Sequence, residues 1–154
     1  MDLSSLATTT LGAAIGVGAT LIADRTRWKR DHRSKEQDTK RQVYAEYLTA
    51  LSRTRNELRL ASRNPQVPAE ERARMATEAF KAGGAYELRY QVAITAPPAV
   101  VEASTQAFRA LRDLRDLVEA GITHREPSYL SSKEAWDLLF SELCRQIRED
   151  LAAG

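Results

Sequence analysis

The sequence predicts an all-α protein: one N-terminal transmembrane helix continuing into an antiparallel bundle of about four helices. Three observations point there. Leu3 to Ala23 is 21 residues without a charged side chain. Beyond it, four stretches carry apolar residues at three- and four-residue spacing, the period of helices with one buried face. Short Pro- or Gly-bearing linkers separate these stretches, and none alternates with the period of a strand.

The first element reads LSSLATTTLGAAIGVGATLIA. As a helix it would be about 30 Å long, the thickness of a bilayer hydrocarbon core. Every amide within it would be satisfied internally, as lipid demands. Its strongly apolar residues (four Leu, two Ile, one Val) give roughly −2 to −4 kcal/mol of insertion free energy, which Gly, Ser and Thr erode. A cleaved secretory signal competes with this reading, but Asp2 stands where a positive n-region belongs and no Ala-x-Ala site precedes Asp24. A soluble or interfacial helix is the other alternative. Within the segment Thr8, Gly12, Gly16 and Thr20 recur every four residues, a small-residue face on which two membrane helices can approach closely.

A basic neck, residues 24–42, follows. Arg25, Arg27, Trp28, Lys29, Arg30 and Arg33 crowd the end of the apolar stretch, and Lys35, Lys40 and Arg41 continue the run. Lys and Arg gather on the cytoplasmic side of a span, so the N-terminus is expected outside and the C-terminal domain in the cytoplasm. Trp28 can sit among headgroups, and each basic residue near an anionic leaflet adds about 1 kcal/mol of attraction. From Asp24 to Arg63 there are 12 basic and 6 acidic residues, net +6; from Asn64 onward there are 11 and 14, net −3. The neck lacks an apolar stripe, so it is expected to be solvated or membrane-apposed.

The body, residues 43–154, is the expected cytoplasmic bundle. Val43, Tyr44, Tyr47, Leu48, Leu51, Leu58 and Ala61 form its first stripe, ended by the prolines of Asn64–Pro68. A second helix is expected from about Ala69 to Thr95, with Met75, Ala79, Phe80, Gly83, Tyr86, Tyr90 and Ile94 inward. Gly83-Gly84 inside it implies a close neighbour, a bend or a split. A third covers about Pro98 to Ala120, with Pro98 in its first turn and Gly121 as its stop. Its stripe is Val100, Ser104, Ala107, Phe108, Leu111, Leu114, Leu117 and Val118, and Arg109–Asp113 and Arg112–Asp116 are spaced to pair on its outer side. In the fourth, Ser131 to Glu134 resembles a capping box ahead of Trp136, Leu139, Phe140, Leu143, Ile147 and Leu151. Coiled-coil-like packing between such stripes buries a common core. Tyr44, Tyr47, Tyr86 and Tyr90 either line the bundle edge, rings inward and hydroxyls wet, or present a face to a partner helix.

Composition and motifs exclude most chemistry. One cysteine rules out a disulfide framework, and two histidines argue against a zinc site. Cys144 reads as a reduced thiol at a core margin and His124 as a solvated loop residue. No Glu-x-x-His pair or phosphate-binding glycine loop occurs. No catalytic residue, cofactor or metal is therefore expected, and no enzyme. Nucleic acid is disfavoured because Asp24, Asp31, Glu36 and Asp38 interrupt the basic run. The layout resembles small single-pass membrane proteins with a cytoplasmic helical domain, a likeness that implies no activity and no site. The expected partners are a bilayer with anionic headgroups and a second copy or another membrane protein. The expected role is a non-enzymatic adaptor or structural module at the inner membrane face. The alternatives are a membrane oligomer or small complex subunit built through the Gly12/Gly16 face, and a soluble helical oligomer.

Overall fold

The computed structural model describes residues 35–64 and 66–153. Residues 35–63 are helical (α1), followed by α2 (Ala69–Ala82), α3 (Ala85–Thr95), α4 (Pro98–Glu119) and α5 (Pro127–Ala153). No strand occurs among the described residues. No helix among them is long and apolar enough to cross a membrane. The expected span Leu3–Ala23, its Thr8/Gly12/Gly16/Thr20 face and the neck residues Arg25 to Arg33 lie outside the described residues.

Residues Lys40–Gly154 form one compact unit. Contacts between distant residues fix its course. Lys40 and Tyr44 meet Asp150, and Arg55 meets Asp137, so α1 and α5 run antiparallel. Tyr47 meets Ser104 and Ser62 meets His124, so α1 and α4 run parallel. Arg72 meets Gly121 and Thr77 meets Glu119, so α2 opposes α4. The result is an up-down-up-down bundle whose second rod consists of two helices. Its core holds Tyr44, Tyr47, Leu51 and Leu58 of α1, Leu111, Leu114 and Val118 of α4, and Leu143 of α5. Each such side chain contributes about 1.5–3 kcal/mol through its burial.

The break in the second rod has a double cause. Gly84 takes φ +72, a left-handed conformation that costs a residue with a Cβ about 1–2 kcal/mol. Gly83 lies against α1: a Cβ there would fall 1.8 Å from Thr54 Oγ1. The helix therefore splits at a point of close approach. The split also corrects the expected inward face. Gly83 is buried and Ala79 and Phe80 pack against the core as expected, but Met75, Tyr86, Tyr90 and Ile94 are exposed, and Arg72, Ala76, Ala85 and Val92 are buried in their place. Pro98 opens α4 and Gly121 (φ +87) follows its end, as the sequence implies. The fourth rod starts earlier than expected. α5 begins at Pro127, and Glu126 accepts hydrogen bonds from the Thr123 backbone N–H (2.7 Å) and hydroxyl (3.0 Å). Ser131–Glu134 is therefore helix interior, and the side chain that reaches back to an upstream amide belongs to Glu126.

Candidate interaction surface

The interior holds polar side chains, most of them tied to a neighbour, while the buried Thr54 hydroxyl and Trp136 ring N–H lack a hydrogen-bond partner among the described residues. Asp150 accepts from the Tyr44 hydroxyl at 2.6 Å and from Lys40 Nζ at 3.3 Å. Tyr47 donates to the Ser104 carbonyl (3.2 Å) and accepts from the Ser104 hydroxyl (3.1 Å). These tyrosines correct the expectation of wet hydroxyls: both rings and both hydroxyls are inside. Burial raises the pKa of both phenols above 10.0, and the hydrogen bond to Asp150 raises Tyr44 further. Lys40, expected in the solvated neck, is instead tied to α5.

Arg72 is 7% exposed and donates to the carbonyls of Val67 (2.8 Å) and Gly121 (3.0 Å). It thereby satisfies two loop carbonyls at one end of the bundle, where α2 starts and α4 ends. His124 makes the same kind of tie, its backbone N–H donating to the Ser62 carbonyl at 3.3 Å with Nδ1 at 3.2 Å from the same oxygen.

Burial pushes the Cys144 thiol up despite the nearby Arg148, the opposite of what a nucleophilic thiolate needs. No group of three His, Cys, Asp or Glu residues among them is placed to hold a metal. Open grooves occur among the described residues, and two of them lie along helix seams. One, about 360 Å³, lies between α1 and the α2–α3 junction, beside Thr49, Ala50, Arg53, Gly83 and Leu88. The other, about 270 Å³, lies between α4 and α5, beside Arg109, Asp113, Ser132, Ala135 and Leu139. Both are open to solvent and mostly apolar in their lining.

The outstanding surface is on α3. Tyr86 and Tyr90 are half-exposed and Ile94 is 85% exposed. The two rings meet edge to face at 5.3 Å, and the Tyr90 hydroxyl donates to Tyr86 at 2.9 Å. The Arg89 guanidinium lies over Tyr86 (5.6 Å), Tyr90 (5.4 Å) and Phe108 of α4 (4.8 Å), within cation–π range of all three. Phe108 continues to Phe80 at 5.4 Å, and Arg115 covers Phe80 at 4.5 Å. This aromatic and guanidinium platform spans α2, α3 and α4.

Of the four tyrosines read from the sequence as lining the bundle edge or presenting a partner face, two are core and two form this surface. The exposed apolar residues of α5, Leu130 at 51% and Leu138 at 68%, escaped the sequence reading. They are eight residues apart and outside the core stripe, which is the signal that could have found them. The expected pairs Arg109–Asp113 and Arg112–Asp116 are not formed, and Arg115 pairs instead with Asp116 and Glu119. No protein-family model, no curated protein and no solved structure matches this chain.

Proposed function

We propose that the chain is a single-pass membrane protein whose helical body acts as a non-enzymatic adaptor or structural module at the inner membrane face. The observation that carries this reading is the uncharged run Leu3–Ala23 followed directly by the basic collar Arg25, Arg27, Lys29, Arg30 and Arg33. Length and composition suit a span, and the one-sided charge orients it. The collar and Trp28 lie against anionic headgroups. Tethering confines the body to a thin layer, which raises its effective concentration toward other membrane proteins. The tyrosine surface of α3 supports an interaction role.

Membrane fractionation tests the proposal. A high-salt wash leaves a spanning protein in the pellet, and only detergent releases it; release by salt alone refutes the span. Protease added outside intact cells should spare the body, and its digestion would reverse the orientation.

A second reading draws on Thr8, Gly12, Gly16 and Thr20. Their four-residue spacing suits a membrane oligomer in which helices touch through small residues. Replacing Gly12 and Gly16 with Leu should then reduce the oligomer size in detergent. An unchanged size removes this face from consideration.

A further inference from the structure

We propose that copies of this chain associate head to tail, the exposed α3 stripe of one copy seating against an exposed α5 stripe of the next. Residues four apart on a helix lie on one face, so positions i, i+4 and i+8 form a stripe about 12 Å long. On α3 that stripe is Tyr86, Tyr90 and Ile94, with Arg89 beside its centre. On α5 it is Leu130, Glu134 and Leu138. Both stripes are exposed and apolar at each end; the α5 stripe carries the anion Glu134 at its centre, and the α3 stripe carries the cation Arg89 along one flank.

Neither charge has an oppositely charged partner among the described residues. Arg89 makes no ion pair among the described residues; its guanidinium rests on three aromatic rings. Glu134 is exposed and likewise makes none, whereas its neighbours Lys133 and Asp137 pair with each other. Glu87 lies on the opposite flank of the α3 stripe from Arg89, so the cation marks one edge only. Seating Glu134 on Arg89 pairs the two charges and brings Leu130 and Leu138 against Tyr86 and Ile94.

The two stripes cannot satisfy each other within one molecule. α3 and α5 both pack on α4, while α1 lies against α5 and against the α2–α3 junction, which puts α3 and α5 on diagonally opposite rods. The contact is therefore heterologous, and each added copy leaves one free stripe of each kind. Such contacts build a ring or an open row. Three side chains per stripe fall well short of the ~1,200–2,000 Å² that a stable interface buries. The pairing is therefore weak in dilute solution and grows where copies are confined. Confinement rests on the membrane anchor proposed above; the pairing itself does not.

The test uses the full chain with Cys144→Ser. One preparation carries Ile94→Cys and another Leu138→Cys, and a short bismaleimide links them in detergent and in plain buffer. The mixture should give a linked dimer that neither preparation gives alone, and a chain with both cysteines should give a ladder of dimers, trimers and higher species. Arg89→Glu should lower the linked yield by at least about tenfold, because like charges face each other. Glu134→Arg in the partner should restore it, with unchanged helical content in every variant by circular dichroism. Equal linking within either single preparation, no mixed product at high protein concentration, or a charge reversal that fails to restore the yield would overturn the proposal. A chain released from membranes by salt that still forms the mixed product would remove the anchor and leave the pairing standing.

Discussion

Helices α4 and α3 are neighbours with opposite fates, although α3 is the richer in apolar residues. α4 buries Val100, Ala103, Ser104, Ala107, Phe108, Ala110, Leu111, Leu114 and Val118 along one broad stripe, with Glu102, Arg109, Arg112, Asp113 and Asp116 outside. α3 buries only Ala85 and Val92, with Leu88 partly covered, and turns Tyr86, Tyr90 and Ile94 outward. A helix that is apolar on one side declares which side is core; one that is apolar all round does not. Where such a helix lies at the edge of a bundle, the uncovered side is surplus to folding and available for association.

The largest expected effect sharpens that contrast. Leu111→Ala removes a fully buried side chain and should lower stability by about 2–5 kcal/mol in denaturant unfolding. Ile94→Ala, at a position 85% exposed, should change it by less than about 0.5 kcal/mol. Equal losses would mean that α3 is covered after all.

Tyr44→Phe should cost about 1.5–3 kcal/mol at neutral pH, because the phenol donates to a charged carboxylate. The pH dependence follows from the raised phenol pKa. Below about pH 10 the full contribution is present. As pH climbs past the unfolded value of 10.0, the unfolded chain sheds the proton first and stability falls. Tyr47, also raised, acts in the same direction. The midpoint of urea unfolding followed from pH 8 to 11 should drop for the natural sequence and drop less for Tyr44→Phe. A flat profile would contradict the buried hydrogen bond.

Gly83→Ala tests the junction between the two regions. Overpacking against Thr54 should cost about 1–3 kcal/mol, and Thr54→Ala in the same chain should recover part of it. Additive losses would mean that the two residues do not touch.

The smallest effect belongs to the solvated surface of α5. Arg145 donates to Glu142 at 2.6 and 2.8 Å and holds its carboxyl down at about 2, yet both side chains remain about half exposed to solvent. Glu142→Gln should leave the unfolding midpoint unchanged within error, since exposed pairs add little.

The helical stretches of the body and the punctuation between them were legible in the sequence, because proline and glycine act through backbone geometry that needs no distant partner. Pro98 and Gly121 sit where their local chemistry places them. The stripe of α1 was legible from its apolar period, save Ala50, Thr54 and Ser62, two of which carry hydroxyls that hide a buried position from a count of apolar residues. The interaction surface was half legible. Tyrosine at 44, 47, 86 and 90 looks alike in sequence, yet the first two are core and the last two are exposed.

From the sequence alone came a helical body of stripes with breaks between them, since hydrophobic period and backbone preference operate within a few residues. Tertiary structure alone decided which side of α3 faces outward and that Lys40 and Tyr44 close on Asp150, across 110 and 106 residues of chain. It also decided that Arg72 ties two loops together. Such contacts depend on which rods become neighbours, and that is set by packing the whole core at once.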